Sequence, residues 1–60
     1  MSNEEIYTIR CIDTKRSYPV IGNRGSKLSV VWDSQKSWFT KGQQVTIVGE
    51  DGRQETFIKN

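Results

Sequence analysis

Apolar and polar residues alternate at every second position over most of this chain, which is the period of a half-buried β-strand. Over residues 5–12 the alternation puts Tyr7, Ile9 and Cys11 on one face and Thr8 and Arg10 on the other. Residues 18–21 form a short second strand, and Pro19, which has no N–H, belongs at a sheet edge or a strand start. The pattern gives a third strand over 27–32, with Leu28, Val30 and Trp32 inward and Ser29 and Val31 outward. A fourth covers 44–48, rich in β-branched residues. A fifth covers 54–58, where either Phe57 or Ile58 faces in.

Turn chemistry separates these runs. Gly22-Asn23-Arg24-Gly25 accepts positive φ cheaply, Lys41-Gly42 turns the chain into the fourth strand, and Gly49-Glu50-Asp51-Gly52 is a hairpin signal. Residues 33–39 break the alternation, and Asp33 can cap one helical turn near 34–38. Five short strands with tight turns predict an all-β fold. The expected form is a small five-stranded antiparallel barrel with at most one short helical turn. No stretch has the length of a helical crossover, which argues against a parallel sheet. With no repeat or linker, residues 1–60 are expected to form a single small β-barrel domain.

The small size raises the question of what stabilises such a fold. A chain of 60 residues, 33% of them hydrophobic, builds a marginal core. The usual supports at this size are disulfides and metals. Cys11 is the only cysteine and histidine is absent, so neither an internal disulfide nor a structural zinc site is expected. Association with a partner, including a second copy, is the remaining support. The start Met1-Ser2-Asn3-Glu4-Glu5 is acidic, and no apolar run approaches the ~20 residues of a membrane span. With an unpaired thiol, the expectation is a cytoplasmic protein with no membrane partner.

Candidate chemistry is sparse. Without histidine there is no ordinary general base near neutral pH and no Ser-His-Asp or Cys-His constellation. Glu50 and Asp51 belong to a tight turn, and Cys11 on an inner strand face is a small buried hydrophobe. The expectation is a protein that is not an enzyme and uses no cofactor or metal. Gly22-Asn23-Arg24-Gly25-Ser26-Lys27 departs from the Walker loop, having two residues between its glycines where four are required. It matches the glycine-x-x-glycine clamp of KH domains but lacks the helices that clamp joins. A hairpin turn accounts for it better, though exposed amides beside Arg24 and Lys27 can hold an anion.

Charge and aromatic residues point to binding. The formal charge is +2, yet residues 10–41 carry seven cations against two anions, a net of +5. That stretch attracts an acidic partner or simply solvates the surface. Tyr7, Trp32 and Phe57 are core candidates. Trp38-Phe39 lies in a polar segment between Lys36 and Lys41. One reading makes one or both rings a plug for an open barrel end, the other a stacking platform or anchor rimmed by lysines; in such polar surroundings at least one ring is expected to stay partly exposed. The candidate binding residues are therefore Trp38, Phe39, Lys36, Lys41, Arg24 and Lys27.

The stretch from Lys41-Gly42 to Asp51-Gly52 resembles the strand-turn-strand unit of small Src-homology-3-type barrels, including the KOW-type modules of ribosomal and transcription proteins. The chain carries Gln54-Glu55-Thr56 where the KOW pattern has further glycines. Cys11-Ile12-Asp13 before a Lys-Gly turn is similar to short phage and bacterial proteins. These resemblances imply the barrel fold and an accessory or inhibitory factor of phage or mobile-element type. The favoured partner is a host or defence protein, bound by protein–protein interaction. A nucleic-acid-binding barrel using the basic, aromatic-containing surface is the alternative.

Overall fold

The computed structural model describes residues 3–60; Met1 and Ser2 of the acidic start lie outside them. Four strands, β1 (Glu4–Cys11), β2 (Ser17–Asn23), β3 (Gln44–Val48) and β4 (Gln54–Ile58), form one antiparallel sheet in the order β2-β1-β3-β4. A helix, α1 (Leu28–Gln35), runs into a 3₁₀ turn (Lys36–Trp38) between β2 and β3. The strand-dominated class stands, but the five-stranded barrel does not. There are four strands in an open sheet, and β2 and β4 remain separate edges.

The difference comes from residues 27–32, expected as a strand and folded as the start of α1. Leu28 and Trp32 are four apart, so they share a face in a helix as well as in a strand. Val30 and Val31 distinguish the two. Val31 is buried with Leu28 and Trp32, whereas Val30 is 58% exposed. The spacing 28, 31, 32 is the helical one. Two valines and an N-terminal residue, Lys27, without a side-chain cap make α1 a weak helix on its own. Packing on the sheet holds it in place.

The helix also makes a crossover. β2 and β3 are both antiparallel to β1 and flank it, so they run parallel to each other without being paired. The chain between them climbs back over one face through α1, a connection the sequence reading did not allow for. Hydrogen-bonded pairing is antiparallel throughout.

The core lies between α1 and that face. Tyr7 and Ile9 of β1 and Val45 and Ile47 of β3 are fully buried against Leu28, Val31 and Trp32. Cys11 is buried on the same face, as its alternation predicts. Phe57 resolves the ambiguity of the last strand by facing in, its ring stacked on Trp32 at 5.5 Å and 7°. Phe39 meets Trp32 at 5.7 Å, tilted by 34°, and stacks on Tyr18 at 6.5 Å. An aromatic row, Phe57–Trp32–Phe39–Tyr18, thus spans the sheet from β4 to β2.

The opposite face is uncovered. It carries Ile6, Thr8 and Arg10 of β1, flanked by Pro19 and Ile21 of β2, Thr46 and Val48 of β3, and Thr56 and Ile58 of β4. A shallow concavity of about 540 Å³ lies over Thr8, Arg10, Thr46, Val48 and Gln54. No aromatic ring lies on this face among the described residues.

Candidate functional site

The two ends of the sheet differ in structure and charge. At one end the β2–α1 turn, the start of β1 and the β3–β4 hairpin meet around Glu5, a glutamate only 3% exposed. Its Oε1 accepts hydrogen bonds from the Gly25 amide (3.0 Å) and the Tyr7 hydroxyl (3.2 Å), and Arg53 Nη2 stands 3.4 Å away. Its Oε2 accepts the Glu50 amide at 2.8 Å. Hydrogen bonding from the Gly25 amide, above all, holds the Glu5 carboxyl below its ordinary range. Burial opposes this, and the Glu50 amide, Tyr7 and Arg53 reinforce it. Gly25 has φ +78°, where glycine is favoured, and this conformation accompanies its amide's bond to Glu5.

Three amides of the Gly22–Lys27 stretch have partners within the chain. The Arg24 amide donates to the Asn3 carbonyl and the Ser26 amide to the Tyr7 hydroxyl. The anion that the Gly25 amide meets is the chain's own Glu5. Arg24 donates to the Glu4 carbonyl at 2.7 Å and stands 3.7 Å from Glu50. Glu50 in turn accepts the Ile6 amide at 2.7 Å. Arg53 is held by Asp51 at 2.8 Å and donates to the Ser26 carbonyl at 3.0 Å. Glu5 and Arg53 are the polar organisers of this end, and neither stood among the sequence candidates. A glutamate on the same alternating face as Tyr7, Ile9 and Cys11 was the available signal.

The other end is built from the β1–β2 turn, the 3₁₀ turn and the approach to β3. Here Trp38 is 79% exposed, the most exposed large hydrophobic side chain among the described residues. Phe39, its neighbour, is half-buried against Trp32 and Tyr18. The sequence expectation left open which of the two rings is free; the structure divides them into one exposed ring and one half-buried core ring. Extended backbone at Phe39 (φ −116°, ψ 158°) ends the 3₁₀ turn and sends the rings to different surroundings.

Between them lies a groove of about 310 Å³ lined by Arg16, Tyr18, Trp38, Phe39 and Thr40, with Cys11 among its lining residues. Burial pushes the Tyr18 phenol up from its ordinary value, and its hydroxyl donates to Gln35 at 3.0 Å. Hydrogen bonding from the Thr14 hydroxyl, and next from its amide, pulls the Cys11 thiol down. Lys36 pairs with Asp33 at 3.3 Å, and Lys41 lies exposed in the turn after Thr40.

Of the six candidates, the structure groups Lys36, Trp38, Phe39 and Lys41 at this end. It sets Arg24 and Lys27 at the other, beyond an eight-residue helix about 12 Å long. Charge follows the same division. Lys15, Arg16, Lys36, Lys41 and Lys59 surround the aromatic end against Asp13 and Asp33, a net of +3, while at the far end Glu4, Glu5, Glu50 and Asp51 are nearly offset by Arg24, Lys27 and Arg53, a net of −1. The molecule extends 37 Å along its longest axis.

No group of metal-ligating side chains occurs among the described residues, and no helix among them is long and apolar enough to cross a membrane. Compared with protein-family models, curated proteins and solved structures, the chain matches none.

Proposed function

We propose that this chain is a non-catalytic binding protein that docks on a protein partner through its aromatic, cationic end. The observation that carries the reading is Trp38: a large apolar ring, 79% exposed, beside a groove floored by Tyr18 and Phe39. Leaving such a ring in water has a hydrophobic cost that burial on a partner relieves. The ligand that fits is a short segment with an apolar side chain for the groove and carboxylates for Arg16, Lys36 and Lys41.

The exposed indole among lysines also favours a second reading, a stacking site for single-stranded nucleic acid. Two features weigh against it. The open sheet face offers no ring for successive bases, and a strand tracking the long axis would leave the cationic end for one whose charges nearly cancel. A compact protein contact avoids both problems.

Selection from a random peptide display library tests the proposal. Enriched peptides should combine an apolar or aromatic residue with flanking Asp or Glu, and their binding should be lost in Trp38→Ala while the circular dichroism spectrum is unchanged. An oligothymidine that binds at low salt, with affinity falling steeply as salt rises, would favour the nucleic-acid reading instead. Binding of selected peptides that survives Trp38→Ala would sink the proposed site.

A further inference from the structure

The two sheet edges differ in their capacity to pair with another strand. The phase of each ladder fixes which backbone groups point outward. On β2 the bond from the Cys11 amide to the Arg16 carbonyl sets the alternation, so Ser17, Pro19, Ile21 and Asn23 point away from β1. Pro19 therefore removes a donor from the middle of this edge, a common way to block strand addition.

On β4 the bonds from the Gly49 amide to the Arg53 carbonyl and from the Lys59 amide to the Gln43 carbonyl set the phase. Gln54, Thr56 and Ile58 then present their N–H and C=O groups to the free edge, with no proline among them.

We propose that β4 is a self-pairing edge, joining a second copy of this chain antiparallel about a twofold axis at Phe57. The charges select the register. Only registers that pair outward-pointing residues with one another keep the hydrogen bonds, and an axis at Gln54 would run the pairing into the Gly49–Gly52 turn, which leaves twofold axes at Glu55, Thr56, Phe57 or Ile58. An axis at Glu55 sets two Glu55 carboxylates opposite each other. An axis at Thr56 sets Arg53 opposite Lys59 of the second copy. An axis at Ile58 sets Phe57 opposite a lysine.

The axis at Phe57 places Glu55 opposite Lys59 of the second copy, twice by symmetry, and the two Phe57 rings side by side. Directly opposed unlike charges and aromatic pairs are the favourable cross-strand combinations. Glu55 is exposed and Lys59 half-buried, and both lie on the helix-bearing side with Phe57. The product is a continuous eight-stranded antiparallel sheet with both helices on one face, built on an isologous contact. Pairing two edges removes the exposed backbone that an open four-stranded sheet leaves there, and supplies support that the small core lacks.

The test is sedimentation velocity over a wide concentration range, with thermal melts to confirm folding. The wild-type chain should show a concentration-dependent monomer–dimer equilibrium. Glu55→Lys alone and Lys59→Glu alone should each weaken dimerisation at least tenfold, since each places like charges opposite one another. The double substitution Glu55→Lys/Lys59→Glu should restore it. Thr56→Pro, which removes an outward-facing N–H together with the hydroxyl that meets Thr46, should abolish it, whereas Thr56→Val, which loses the hydroxyl alone, should not. Trp38→Ala should dimerise like wild type, which separates this edge from the proposed docking end. A wild-type chain that stays monomeric at every concentration overturns the proposal, as does dimerisation that the double substitution fails to rescue.

Discussion

Trp32→Ala is expected to be the most destabilising aromatic truncation in this chain, enough to unfold it at room temperature if its stability lies in the lower half of the range for its length. Trp32 is only 8% exposed, and its ring stacks on Phe57 and meets Phe39 at a tilt of 34° while anchoring α1 to the sheet. Truncating a buried tryptophan costs about 3–5 kcal/mol through lost burial and the cavity left behind. A chain of this length has a total stability of roughly 3–9 kcal/mol, so a single loss of that size consumes most of it. The loss also falls on the weakest element, because α1 has little intrinsic propensity and depends on that contact. Phe39→Ala removes a half-buried ring from the same row and should cost about 2 kcal/mol. Trp38→Ala should stay within about 0.5 kcal/mol of wild type, as expected of an exposed side chain. Urea titrations followed by circular dichroism would establish the order Trp32, Phe39, Trp38. Equal destabilisation by all three would contradict both the core position of Trp32 and the free anchor at Trp38.

The sequence marked Trp32 as core but did not separate Phe39 from Trp38, and the reason is local. Trp38-Phe39 stands out as two adjacent rings in polar surroundings, which indicates that at least one of them lacks a place in a regular core. Which one is free depends on where the 3₁₀ turn ends, and Lys36-Ser37 carries no signal for that. The alternation in β1 was legible because β1 is central and one face is wholly buried, so Tyr7, Ile9 and Cys11 had no other arrangement. Pro19 marked an edge correctly for the same kind of reason, a missing donor.

The segment 27–32 was illegible for the opposite reason. Leu28 and Trp32 satisfy both periods, and the two valines favour a strand by propensity. Only burial of Val31 in place of Val30 separates helix from strand, and that depends on the sheet beneath. Reading this segment as a strand supplied the fifth strand from which the barrel followed. The candidate site was half legible: its aromatic members and neighbouring lysines fall together, whereas Arg24 and Lys27 belonged to a turn organised around Glu5. A glutamate two residues before Tyr7 on an alternating strand places a carboxylate inside. Sequence alone does not reveal the amides of Gly25 and Glu50, 20 and 45 residues away, that make this tolerable.

Acid should selectively weaken this fold through Glu5. The folded chain holds the Glu5 carboxyl below its ordinary range, so folding favours the ionised form. Stability from that preference is fully present above the unfolded value of about pH 4 and is lost as pH falls through it toward the lower folded value. Asp51, pulled down chiefly by hydrogen bonds from Arg53, contributes in the same direction from an exposed position, where solvent screens it. Glu5→Gln separates the two. It keeps the shape, removes the charge and turns an amide NH₂ toward either the Gly25 or the Glu50 N–H, so one donor faces another. The variant should be clearly less stable than wild type at pH 7, and its stability should fall less steeply toward pH 3, with the Glu5 contribution gone and that of Asp51 still present. The two urea midpoints should therefore converge as pH falls. Gly49→Ala approaches the same node from the backbone, since a Cβ there would stand 2.8 Å from Glu5 Oε2 and force the carboxylate off the Glu50 amide. It should reproduce both the loss at neutral pH and the flattened acid limb. Midpoints that run parallel from pH 7 to pH 3 would mean that the three loops are held together by something other than the Glu5 charge.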